Sequence, residues 1–203
     1  MDTILVEARN STRRYVLIGA GVGLVWGIAM RGWMRFIAAM PEFTWSGTLF
    51  ILGASVIAGT VLGTAWHRRA IGGPGWWRLS IVSLILLGAG GAVMWPAVIL
   101  GGMALGRPWR PWIRATLGVL AAASQIPVVI GIADNWKFGV TEIVIATILY
   151  VPLLFLEVWA FSVAFRPSMR EEPPPLALRI VLGGLVVLAA GMLAVLVGVA
   201  SDM

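Results

Sequence analysis

Long apolar runs alternate with short charged clusters along this chain, and within the runs no polar residue recurs at every second position. A run of about 18 apolar residues is long enough to cross the roughly 30 Å hydrocarbon core of a bilayer as a helix. No water reaches the backbone there, so only helices or a closed barrel can span it, and barrel strands alternate over roughly 10 residues. The pattern predicts an all-α integral membrane protein with a single domain over residues 1–203. The expected fold is a bundle of about six transmembrane helices with short loops, spanning about 15–39, 43–66, 79–106, 111–133, 139–165 and 176–200.

Local signals set these boundaries. The first run is followed by Arg31, Trp33 and Arg35, with no small-x-small cleavage site, and so reads as a retained span. Pro41 and Glu42 mark the start of the second helix, since proline suits the first helical position and a carboxylate complements the dipole. The third run, Leu79 to Gly106, is longer than a crossing requires and holds Gly88, Gly90, Gly91 and Pro96, which predicts a tilted or kinked span. Gly19, Gly23 and Gly27 make a stripe of small residues that lets another backbone approach closely. That stripe serves either packing within the chain or a homo- or hetero-oligomer.

Composition agrees with the pattern: 60% of residues are hydrophobic, 12% are charged, and the mean hydropathy is +0.94. The net charge of +6 is no nucleic-acid signal, because the basic residues sit in small groups beside apolar runs, where they act as anchors. Fourteen of the 15 are Arg, a bias that points to a GC-rich bacterial genome and hence to a plasma membrane. Trp33, Trp45, Trp76, Trp77, Trp109 and Trp112 fall at expected span ends, as interfacial anchors do. The Arg–Trp alternation at 107–114 also suits contact with anionic lipid headgroups. With six crossings the basic residues divide seven against eight, and the three Arg ahead of the first span tilt the reading towards both termini being cytoplasmic.

Reactive groups are scarce. There is no Cys and one His, His67, which disfavours thiol chemistry and a His-based metal site, and no cofactor motif is present. His67 lies in a basic boundary cluster and reads as a headgroup contact. Glu157 is the one carboxylate well inside an expected span, where an unpaired charge costs several kcal/mol in order of magnitude. If six spans cross, Glu157 falls on the same half of the membrane as Arg31 and Arg35. The expected cluster is therefore Arg31, Arg35, Glu42 and Glu157, with Gln125 as a further polar group inside a span.

Three functions are compatible with this inventory. The default is a non-enzymatic structural or interaction subunit of a bacterial inner membrane. A small transporter or permease would use Glu157 with Arg31 and Arg35. An intramembrane lipid-modifying enzyme would use the same residues, but no nucleophile or metal motif accompanies them.

Overall fold

The computed structural model describes residues 2–38, 44–72, 75–88, 92–134 and 139–167, with side chains from residue 12 onward. The expected sixth span, 176–200, and Glu42 lie outside these residues. Among the described residues helices dominate and no strand occurs: the protein is an all-α membrane bundle. Its α-helices are α1 (Asp2–Ile37), α2 (Trp45–Ala70), α3 (Trp95–Gly106), α4 (Pro111–Ala123), α5 (Ile126–Ala133) and α6 (Val140–Phe161). A 3-10 helix covers Gly75–Leu87, a short one (Ala92–Met94) leads into α3, and another (Ser162–Phe165) extends α6. Four stretches are long and apolar enough to cross a membrane: 12–37, 45–70, 111–133 and 140–165.

α1 and α2 form an antiparallel pair in very close contact. Gly19 and Gly23 face Gly59, Gly63 and Ser55 backbone to backbone, so the stripe read from the sequence is used inside the chain. At one end of the pair Thr12 Oγ1 bonds His67 Nε2 at 2.8 Å, and at the other Arg31 Nε donates to Thr48 Oγ1 at 3.2 Å. His67 is buried, not the headgroup contact expected of it. α2 ends at Gly72, whose φ of 69° is left-handed and comfortable only for glycine.

The third apolar run does not form one helix. Its first leg, the 3-10 helix Gly75–Leu87, runs back along α2. Trp77 and Ser80 lie beside Thr64 and Arg68, while Leu86 and Leu87 reach Ala54, Trp26 and Met30. At about 2.0 Å per residue, 13 residues of 3-10 helix cover roughly 26 Å. The second leg, α3, returns: Gly101 faces Val158, and Gly106 faces Ser162 and Phe165. The same end of the bundle holds Trp66 stacked on Trp159 and Arg69 Nε donating to Pro167 O at 3.3 Å. The two legs thus form a hairpin whose outer ends lie at one end of the bundle, and the first leg finishes with Leu87 beside Trp26.

The prolines follow this architecture. Pro96, Pro111 and Pro127 stand in the first turns of α3, α4 and α5, where the missing N–H costs little, and of the described prolines only Pro152 lies inside a helix. The fourth span is broken at Ser124-Gln125 instead of being a single rod.

The hairpin sets the direction of α6. Trp26 Nε1 donates to Leu153 O at 3.1 Å and Trp33 Nε1 to Ala146 O at 2.9 Å. A step of seven residues forward on α1 therefore matches seven residues back on α6, and the two helices are antiparallel. Spans one and five of the six-span expectation would be parallel. A third run that turns back reverses every later crossing.

Candidate functional site

The buried face of α6 is Ala146, Tyr150, Leu153, Glu157 and Phe161, spaced by three and four residues as one side of a helix must be. Glu157 consequently points inward, towards the junction of α1 and α2. Between these three helices lies a crevice of about 260 Å³. Five of its lining residues are aromatic: Tyr15, Trp26, Trp66, Trp159 and Phe161. Its rim is exposed at Ile18, Val22 and Trp159, on the flanks of α1 and α6 and not at their ends.

Glu157 is only 3% exposed, and neither carboxyl oxygen has a hydrogen-bond partner among the described residues. Ser55 also lines the crevice, but its hydroxyl donates to Ile51 O at 2.7 Å. The Trp26 indole N–H is already committed to Leu153 O. A charged carboxylate in such a wall costs several kcal/mol in order of magnitude, so the group is stable there as a neutral acid or against a cation that enters from outside.

The expected cluster is not brought together. Leu153 faces Trp26, so Glu157, one turn further on, lies level with residue 22 of α1. Arg31 is nine residues beyond that, roughly 13 Å along the helix, and its Nε is bonded to Thr48. Arg35 lies a further turn away, exposed in the last turn of α1. The physical reason is the antiparallel course of α6, which puts Glu157 in the half of the bundle that holds the start of α1. Gln125 stands apart from both. Its Nε2 donates to Ser124 Oγ at 2.9 Å and to Val93 O at 3.3 Å, and its Oε1 accepts from the Tyr150 hydroxyl. Gln125 ties the α4–α5 break to the hairpin and to α6, two turns from Glu157.

The tryptophans divide as well. Trp45, Trp76 and Trp112 are exposed at helix ends, and Trp109 has the Arg107 guanidinium 5.9 Å from its ring centre. Trp33 and Trp77, also near element ends, are instead buried against protein, and Trp33 stacks on Tyr150 with ring centres 5.0 Å apart. Trp26 and Tyr150 share in this packing without any local motif to mark them; the seven-residue spacing of Trp26 and Trp33, which places both indoles on one face of α1, is the signal the sequence offers.

Among the basic side chains described, charge is one-sided: Arg13, Arg14, Arg68, Arg69, Arg78, Arg107, Arg110, Arg114 and Arg166 belong to the end where α1 begins, whereas Arg31 and Arg35 belong to the other. Arg166 sits 4.4 Å from the ring centre of Trp66, and burial first, then the nearby Arg69, lowers its pKa. Comparison with protein-family models, curated proteins and solved structures finds no match.

Proposed function

We propose that the protein is a small transporter-class membrane protein that takes a lipophilic organic cation from the plane of the bilayer into the crevice between α1, α2 and α6. The observation that carries this reading is the Glu157 carboxyl, buried and unpartnered in a wall otherwise built of aromatic and aliphatic groups. Aromatic faces with one carboxylate suit a quaternary or bulky ammonium, which draws cation–π attraction from several rings and neutralises the acid. The lateral rim gives an amphiphile entry without crossing a polar headgroup layer.

Benzyltrimethylammonium and its uncharged carbon isostere neopentylbenzene separate charge from shape. Calorimetric titration of the purified protein in neutral-lipid nanodiscs is expected to show saturable binding of the cation and none of the isostere. Equal binding of the two, or of neither, contradicts the proposal. The interaction-subunit reading draws on the same open rim, with a partner helix bringing a basic side chain to Glu157. In that case the partner, once bound, excludes the cation from the crevice.

The nine-to-two arginine bias supports placing the amino-terminal end of α1 in the cytoplasm of a bacterial inner membrane. A reporter enzyme active only outside the cytoplasm is expected to work when fused after Asp134 and to be silent when fused after Arg110. The reverse pattern would invert the orientation. A lipid-modifying enzyme gains no support, since Arg31 and Arg35 stand too far from Glu157 to share a substrate's reacting atoms with it.

A further inference from the structure

The first leg of the hairpin keeps 3-10 geometry over 13 consecutive residues, Gly75–Leu87. Such runs rarely exceed about 3–4 residues, because their hydrogen bonds are poorer than those of an α-helix. Nothing in the leg's composition demands the tighter form: Leu79, Leu84, Leu86 and Leu87 are good α-formers, and no proline lies within it. Two of its buried donors are also unmet. Trp77 Nε1 and Ser80 Oγ are sealed within the protein, and neither has a hydrogen-bond partner among the described residues. Buried donors without acceptors are rare in folded proteins, and each calls for a specific explanation. A molecule beside the leg cannot reach these two, which leaves a rearrangement of the leg itself.

Room and acceptors for that rearrangement lie next to it. A cavity of about 500 Å³ runs between the leg and the last turns of α2, lined by Thr60, Thr64, Trp77 and Ser80 among others. Thr60 and Thr64 are four residues apart and so share one face of α2. Their hydroxyls donate to Val56 O and Thr60 O at 2.8 and 2.9 Å, which leaves oxygen lone pairs on both for a donor. The far end of the leg borders the other cavity: Leu87 lies beside Trp26 in the wall of the crevice that holds Glu157. Past that end Val93 is fixed, because its carbonyl accepts from Gln125 Nε2.

We propose that the first leg is a conformational switch with two registers, the 3-10 helix described and a shorter α-helix. In the α register Trp77 Nε1–H donates to Thr64 Oγ1 and Ser80 Oγ–H to Thr60 Oγ1, across what is now the cavity. The leg shortens from roughly 26 Å to roughly 20 Å, and the turn per residue falls from roughly 120° to roughly 100°. With Val93 held, the shortening draws Leu87 out of the crevice wall and widens the crevice beside Trp26. The 3-10 register keeps Ile81, Leu84 and Leu87 in the hydrophobic core, and the α register gains hydrogen bonds, so neither wins outright. The switch belongs to the hairpin and stands whether or not the crevice takes an organic cation.

The chain has no cysteine, so the full-length protein in nanodiscs takes a spin-label pair at Trp76→Cys and Leu86→Cys, both exposed positions. Their separation along the axis is roughly 20 Å in a 3-10 helix and roughly 15 Å in an α-helix. Double electron–electron resonance is expected to resolve two distances about 5 Å apart. Adding Thr60→Val with Thr64→Val removes both acceptors, and the shorter population is expected to fall about fivefold or more, the ratio that goes with one net hydrogen bond. Trp77→Phe with Ser80→Ala removes the donors instead and is expected to have the same effect. A single distance in the labelled protein without these changes, long or short, overturns the proposal. A shorter population that either double variant leaves intact overturns it equally.

Discussion

Gly59→Val is expected to lower the thermal midpoint of the detergent-solubilised protein by roughly 10 °C, corresponding to a loss on the order of 3 kcal/mol. The α1–α2 pair is the closest helix contact in the bundle. A Cβ at Gly59 would overlap the Gly19 carbonyl oxygen and lie 3.0 Å from the Gly23 Cα, and both obstacles are backbone. No rotamer change relieves that overlap, so the helices must separate along the stretch from Tyr15 to Gly27. Separation also loosens the Thr12–His67 bond and the floor of the crevice. In lipid no hydrophobic force between helices compensates, since packing is itself the attraction. The matching control is Gly53→Ala, on the same helix, where a Cβ meets nothing within 4 Å. There the better helix propensity of alanine should leave stability unchanged or slightly improved. A Gly59 variant as stable as the control would mean that the two helices do not touch at this position.

Glu157→Gln is expected to weaken binding of benzyltrimethylammonium by 30-fold or more, on the basis that a buried charge pair is worth about 2–5 kcal/mol when one partner is removed. The effect on stability should run the other way. With no partner among the described residues for either carboxyl oxygen, the acid is an uncompensated buried group, and replacing it with Gln or Leu removes a penalty without breaking a contact. The ligand-free variant should therefore melt at the wild-type temperature or above it. An acid clasped by Arg31 and Arg35 would give the opposite sign: loss of Glu157 would strand two arginines and lower the midpoint. Measuring binding and melting on the same preparation separates the two accounts.

Much of the fold can be read directly from the chain. The helical stretches 45–70, 111–133 and 140–165 are each long and apolar enough to cross a membrane and fall on three of the apolar runs, because length and apolarity alone decide them. The hairpin could not be read that way. Leu79 to Gly106 has the composition of a crossing, and nothing in Gly75–Leu87 forbids an ordinary α-helix; the turn back depends on what α2 and α6 offer each leg. One indirect signal existed. With a crossing third run the basic residues split almost evenly, while a returning run gathers nearly all of them on one side, as the positive-inside tendency prefers.

The candidate site shows the same division. That Glu157 is an intramembrane carboxyl is plain from its position in the fifth apolar run. Its neighbours are not, because they depend on whether the number of crossings before α6 is odd or even. Trp33 and Trp77 were assigned to the interface by position along the chain, yet the side of the helix they occupy is fixed by partners far away in sequence, Ala146 and Tyr150 in the case of Trp33. Gln125 is legible as a polar group inside an apolar run, and its bond to Val93 at the hairpin is the part no local rule supplies.

Everything said of Glu157 rests on α6 running antiparallel to α1, and therefore on the hairpin returning to the side it left. The chain contains no cysteine, so single cysteines report their own position without background. Ile71→Cys and Arg110→Cys flank the hairpin, and Asp134→Cys lies past the next crossing. In sealed vesicles a membrane-impermeant maleimide is predicted to label positions 71 and 110 from the same face and position 134 from the other. Labelling of 71 and 110 from opposite faces would make the third run a crossing, return Glu157 to the half that holds Arg31, and contradict the account.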